Sequence, residues 1–154
     1  MSIFISIASY QDPLLVSTIF SAYENAENKN DLIFSICDQS DNTIDINGVT
    51  FSDQIHYDHV DPLFSKGPCW ARHRAQSFFN EEDFFLQVDS HTQFAPEWDS
   101  IFIKQLEKIS ANQEIDEYFK KYSGIKSYID QILDENNFNI TKFIFFLMQK
   151  SKIL

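Results

Sequence analysis

Apolar and polar positions over the first hundred residues fall into two alternating kinds of block. Short aromatic and β-branched runs without Gly or Pro read as strands, and longer stretches with an apolar residue every three or four positions read as helices. Ser2 to Ala8 carries Ile3, Ile5 and Ile7 at alternate places and predicts a first strand. Ser9 to Pro13 interrupts it. Asp12-Pro13 reads as a helix start, an acceptor side chain followed by a proline whose missing N–H costs nothing there. Leu15, Ile19, Ala22, Tyr23 and Ala26 recur at helical spacing and predict an amphipathic helix over Pro13 to Ala26. Asn28 to Asp31 ends it, and Leu32 to Cys37 is a second strand closing on Asp38-Gln39.

Ser40 to Asp53 is polar, contains the turn Asn47-Gly48 and reads as a loop. Gln54 to Val60 predicts a short third strand. After Lys66-Gly67-Pro68, a helix is expected over Cys69 to Phe79, with Ala71, Ala75, Phe78 and Phe79 as its apolar stripe. Phe84 to Asp89 is a buried strand. Ala95-Pro96-Glu97-Trp98 opens a further helix, with Pro96 at its first position, Glu97 favourable to the dipole and Trp98, Ile101, Phe102, Gln105, Leu106 and Ile109 as the buried face. This order of strands and helices predicts an α/β fold around a mostly parallel sheet with right-handed crossovers. Beyond Ser110 the composition shifts to Lys, Glu, Asp, Ile and Phe at helix-like spacing. The expected organisation is a ligand-binding domain over 1–110 and a helical C-terminal segment over 111–154 that carries no recognisable chemistry.

Length and charge narrow the classes. A chain of 154 residues can bury a core without staples, and 44% apolar residues with sixteen Phe exclude a disordered one. A net charge of -11 leaves nothing to displace counterions from nucleic acid. The same charge repels any anionic small ligand, whose site must therefore contain a cation or local arginines. The amino terminus lacks the basic start of a signal peptide, and the run Phe143 to Met148 is far short of the roughly 20 residues of a spanning helix. No membrane span and a cytoplasmic location are expected. Cys37 and Cys69, without metal spacing, read as two small buried residues.

The candidate chemistry centres on Phe84 to Phe94, FFLQVDSHTQF. Asp89 ends a buried strand, where open α/β sheets bind ligands. If the chain stays extended, His91 points the same way two residues on, and carboxylate and imidazole converge on one cation. An isolated Asp-x-His triplet is a short motif, and its position carries more weight than its spelling. Arg72 and Arg74 lie near the start of a helix preceded by glycine, which suits a phosphate; the alternative is that Arg72 pairs with one of the many surface acids. His56 and His59 read as solvent-facing edge residues rather than ligands.

Three blocks, ISIASYQDP, GPCWARHRAQ and EEDFFLQVDSHTQFAPEWD, together resemble the cytosolic GlcNAc-transferase family, whose best-known members place N-acetylglucosamine on a protein hydroxyproline. The layout is more distantly similar to the mucin-type polypeptide N-acetylgalactosaminyltransferases, through the shared Asp-Ser-His. The resemblance spans about Ile3 to Leu106. It implies a GT-A, Rossmann-like fold binding UDP-GlcNAc with Mn²⁺ or Mg²⁺ on the diphosphate. It further implies retaining transfer to a hydroxyl of a protein or glycan acceptor. Asp89 and His91 stand at its metal-ligand positions, with Asp89 also on the donor side. Ser9, Tyr10 and Asp12 fall in the loop that borders the uridine, and Arg72 matches an arginine near the donor.

Two departures accompany the resemblance. Gln11 stands where the pattern usually has arginine. No His follows His91, and residues after Ser110 do not resemble the half that brings a further metal ligand and the acceptor surface, so that nothing singles out a replacement such as Asp116. Two other readings follow: a catalytically inactive, truncated remnant that still binds the nucleotide sugar, and a metal hydrolase using Asp89, His91 and a further histidine such as His73 or His56.

Overall fold

The computed structural model describes residues 1–46 and 48–110. Four strands form one all-parallel sheet: β1 (Ile3–Tyr10), β2 (Leu32–Gln39), β3 (Ile55–Val60) and β4 (Phe84–Asp89), in the order β3-β2-β1-β4. Among the described residues three α-helices accompany them, α1 (Leu15–Glu24), α2 (Pro68–Gln76) and α3 (Trp98–Ser110). The expected α/β class is the observed one. The chain divides into two compact units, Met1–Asp99 and Ser100–Leu154. The sheet, α1 and α2 belong to the first; of the second, the described residues continue α3. The helices expected over 111–154, and Asp116 with them, lie outside the described residues. No helix among the described residues is long and apolar enough to cross a membrane.

β1 sits at the centre of the sheet and is buried on both faces. Ile3, Phe4, Ile5 and Ile7 are all solvent-excluded, which is the continuous apolar run that a covered parallel sheet needs. The alternation of Ile3, Ile5 and Ile7 therefore marks one buried face, and Phe4 fills the other. Phe4 stacks on Phe85 and meets Phe79 edge-on, at 5.5 and 5.4 Å between ring centroids. On the α2 side the contact is made by small residues. Ala71 and Ala75 pack against Cys37, and the Ser35 hydroxyl donates to the Ala75 carbonyl at 2.8 Å. Large side chains at these positions would hold helix and sheet apart. On the α1 side, Phe51 is buried and stacks on Tyr23 at 3.7 Å beside Phe20 and Phe34. That ring pins the polar loop after β2.

Several boundaries differ from the sequence reading. β1 continues through Ser9 and Tyr10, which pair in register with Asp38 and Gln39 rather than forming a loop. α1 starts at Leu15 instead of Pro13, because the Asp12 carboxylate is engaged elsewhere and reaches the helix entrance only through Leu14 N–H, at 2.9 Å. α2 ends at Gln76, so Phe78 and Phe79 lie past it; Phe78 stacks on His56. α3 begins at Trp98, not Pro96, since Glu97 takes a left-handed backbone (φ 59) incompatible with a first helical turn. Asp99 is the acid of that turn. Cys37 is buried as expected, whereas Cys69 is exposed at the solvent side of α2, and both are free thiols.

The segment after β4 is laced to α1 along its length. Thr18 Oγ1 donates to the Ser90 carbonyl at 2.7 Å, Gln93 Nε2 to Ser17 Oγ at 3.3 Å, and Phe94 N–H to Ser21 Oγ at 2.9 Å. Trp98 Nε1 donates to the Ala22 carbonyl at 2.8 Å, and Glu97 N–H to the Asn25 carbonyl at 2.7 Å. The buried Asp99 carboxylate then accepts from Glu27 N–H, Asn28 N–H and Asn28 Nδ2 at 2.9, 2.8 and 3.2 Å. Asp99 thereby closes the carboxyl end of α1. These bonds fix the loop that carries Ser90 and His91.

Candidate active site at the carboxyl ends of the strands

From β1 the chain winds through α1 to β2 and on to β3, while β4 is inserted on the other side of β1. The strand order reverses between β1 and β4, and a crevice at such a reversal is where parallel α/β sheets bind ligands. Two loops flank it: Gln11 to Leu14 after β1, and Ser90 to Phe94 after β4. Both bring polar groups, and they are joined to each other.

The joint is Asp12. Its Oδ2 accepts from Ser90 Oγ at 2.6 Å and contacts His91 Nδ1 at 3.0 Å, while Oδ1 accepts from Leu14 N–H at 2.9 Å. The Ser90 hydroxyl first, then Leu14 N–H and His91, hold the Asp12 carboxyl below its ordinary value of 3.8, against a smaller opposing effect of burial. Asp12 thus stands in the loop assigned to the nucleotide, but its carboxylate turns towards the β4 loop. Gln11, at the place of the expected arginine, has a left-handed backbone (φ 49) and donates from Nε2 to Asp41 at 2.9 Å.

Asp89 is the last residue of β4, aligned with Ala8 of β1, and its side chain is 54% exposed. Its Oδ1 lies 3.5 Å from Arg72 Nη2, a long and half-open pair. Of the two readings of Arg72, the pairing with an acid is the one observed, and that acid is Asp89 itself. The chain turns at Ser90 and His91, and Thr92 Oγ1 donates back to the Asp89 carbonyl at 2.8 Å. Strand alternation accordingly stops at Asp89 and does not govern the direction of His91. The His91 side chain is 61% exposed, held through Nδ1 by Asp12. An exposed carboxylate and an exposed imidazole would offer an oxygen and a nitrogen donor to a cation such as Mn²⁺ or Mg²⁺. Among the described residues no three His, Cys, Asp or Glu side chains stand together as a ligand cage.

The β1 side of the crevice brings Ser9 and Tyr10. Ser9 is buried and its Oγ has no hydrogen-bond partner among the described residues, while its carbonyl accepts from Gln39 Nε2 at 2.9 Å. Tyr10 is exposed. Beside them, Asp38 is buried and accepts from Tyr57 OH and Ser40 Oγ, each at 2.8 Å; burial, and then that bond to Asp38, push the Tyr57 phenol up to about 12. Sequence reading gave Asp38 and Gln39 no role. The signal was available, because an acid stands one residue before the end of β2.

The other titratable groups stand apart. Arg74, in the last turn of α2, makes a bidentate pair with Asp58 at 2.6 and 2.8 Å and lies over the Trp70 ring. Its guanidinium is engaged by Asp58. His59 Nε2 contacts the Ser40 carbonyl at 2.8 Å, and His56 stacks on Phe78, so that both edge histidines are structural. Among the described residues neither these nor His73 forms a metal-holding group with Asp89 and His91, so the hydrolase reading finds no further histidine there.

A family model described as Glycosyltransferase (GlcNAc) matches residues 43–149, more than half of the chain. Arg72, Asp89, Ser90 and His91 lie inside the matched span, and the β1 loop with Asp12 precedes it. The match also runs well past Leu106, where the sequence resemblance ends. No curated protein and no solved structure matches the chain.

Proposed function

The chain belongs to the GlcNAc glycosyltransferase family, and on that footing we propose a specific activity for it. It transfers N-acetylglucosamine from UDP-GlcNAc to a hydroxyl of a protein or glycan acceptor, as a GT-A enzyme of the hydroxyproline-directed kind, in the cytoplasm. The transfer retains the anomeric configuration and depends on Mn²⁺ or Mg²⁺. The observation that carries this reading is the exposed Asp89 carboxylate and the exposed, Asp12-held His91 imidazole, both at the reversal of strand order.

Asp89 and His91 hold the cation in this reading. When bound, the cation supplies positive charge against the departing diphosphate and orients it. Arg72 needs to give up little to help: its contact with Asp89 is long and open to solvent, and such pairs contribute about 0–1 kcal/mol. Its planar guanidinium can instead grip two phosphate oxygens at once. In a chain of net charge -11, these groups are what offset the repulsion of a diphosphate. In this reading Ser9 and Tyr10, at the end of β1, border the nucleoside, with the exposed Tyr10 as the side chain that can meet it.

The test is UDP release from UDP-GlcNAc, followed with Mn²⁺ and with chelator. Mn²⁺-dependent release that disappears in Asp89→Ala supports the reading. Donor binding without any release, with acceptor hydroxyproline peptide present, would contradict catalysis and favour the inactive remnant.

A further inference from the structure

We infer that Asp12 is a positioning residue that fixes the tautomer of His91, so that Nε2 offers a lone pair to a divalent cation. The inference rests on the cation reading above, but its first test needs no metal. An ionised carboxylate can only accept hydrogen bonds, so the ring nitrogen 3.0 Å from Asp12 Oδ2 must carry a proton. In the neutral ring that leaves Nε2 unprotonated. Free histidine side chains favour the opposite tautomer, so the protein selects against the intrinsic preference. Metal-binding histidines commonly gain their orientation from a carboxylate in this way.

Asp12 is itself held firmly enough to impose the choice. Ser90 Oγ and Leu14 N–H bind its two oxygens, and Ser90 is fixed in turn by Thr18 Oγ1 on its carbonyl. The three groups come from the β1 loop, the β4 loop and α1, so His91 is oriented from across the crevice. The arrangement also predicts what Asp12→Asn does. With its oxygen kept on Leu14 N–H, the new amide NH₂ faces Ser90 Oγ, which can rotate to accept, and His91 Nδ1, which must then be the acceptor. The proton moves to Nε2, and the ring presents N–H where it had presented a lone pair. The reversed amide would set NH₂ against Leu14 N–H, a donor against a donor.

The experiment is ¹⁵N NMR of the histidine ring nitrogens in the full chain without metal, at a pH where the ring is neutral, with His91→Gln to assign the signals. It is paired with Mn²⁺ titration by electron paramagnetic resonance. The wild type is expected to show protonated Nδ1, Asp12→Asn protonated Nε2, and the variant a 10- to 100-fold weaker Mn²⁺ affinity, the range typical for groups that orient a metal ligand. Ser90→Ala leaves the Asp12–His91 contact in place and is expected to keep the wild-type tautomer. Protonated Nε2 in the wild type, or a tautomer indifferent to Asp12→Asn, overturns the inference. If Asp12→Asn does not fold, the wild-type spectrum decides alone. A wild type with protonated Nδ1 that ignores Mn²⁺ supports the hold of Asp12 on His91 and overturns the cation reading instead.

Discussion

Asp99→Ala tests whether the lacing of the β4 loop onto α1 stabilises the fold. Asp99 is 1% exposed and its two oxygens receive Glu27 N–H, Asn28 N–H and the Asn28 amide. Hydrogen bonds to a charged acceptor contribute about 1.5–3 kcal/mol each, and a donor left unmade inside the protein costs about 1–3 kcal/mol. The two backbone donors are only partly buried, so water recovers some of that loss. Taking the lower ends gives a destabilisation of about 2–4 kcal/mol, a large share of the roughly 5–15 kcal/mol that holds a domain folded. For a chain of this size that lowers the melting point by about 5–15 °C. Asp99→Asn should fall between, because one oxygen remains while the amide nitrogen confronts an N–H. Urea unfolding is the assay, with an unchanged slope showing that the native state alone was weakened. A loss below about 1 kcal/mol for the alanine variant, outside the range set by buried-donor costs, would refute the reasoning.

Further outcomes follow from the same geometry. Asp89→Ala should leave stability within about 0.5 kcal/mol, since its only ion pair among the described residues is long and solvent-exposed. The same change should abolish the Mn²⁺-dependent rise in melting point that UDP-GlcNAc produces; retention of that rise would remove Asp89 from the donor site. Gly67, at φ 90 and ψ 176, precedes α2 in a backbone region that side chains disfavour, although a Cβ there meets nothing within 4 Å. Gly67→Ala should cost about 1–3 kcal/mol from strain alone, read by thermal denaturation, and no loss would show that the entrance to α2 can relax. Asp12 has a depressed pKa when folded, so its contribution is present above the ordinary value of 3.8 and is lost as the pH falls below it. The stability gap between wild type and Asp12→Ala should therefore be full at pH 6 and shrink from pH 4 to 3. A gap that stays constant over that range would show that Asp12 is not perturbed by its partners.

What could be read from the sequence was whatever nearest neighbours decide. The run Phe84 to Asp89 is a strand with those same ends, because a short apolar stretch bounded by polar turns has few other solutions. Ala71 and Ala75 face the sheet as their spacing predicts. The misplacements occur where a distant partner prevails over a local preference. Ser9 and Tyr10 remain in β1 because Asp38 and Gln39 pair beside them. Asp12 looks like a helix cap in its own sequence, yet its carboxylate serves Ser90 and His91, which lie 78 and 79 positions away. Asp99 finds its partners 71 and 72 positions back. Such pairings carry no periodicity. The site residues themselves were named from a motif and a resemblance, and the structure adds what they touch: Arg72 with Asp89, His91 with Asp12, and Ser9 with the Gln39 amide through its carbonyl.

The central claim is that Asp89 and His91, held at the reversal of strand order, bind a divalent cation that anchors the diphosphate of an activated sugar. Calorimetric titration of UDP-GlcNAc into the full chain, with Mn²⁺ and then with chelator, tests it most directly. Saturable binding that needs Mn²⁺ and is lost in both Asp89→Ala and His91→Ala is the predicted result. Binding of equal strength in chelator, or none at millimolar donor with Mn²⁺ present, would contradict it.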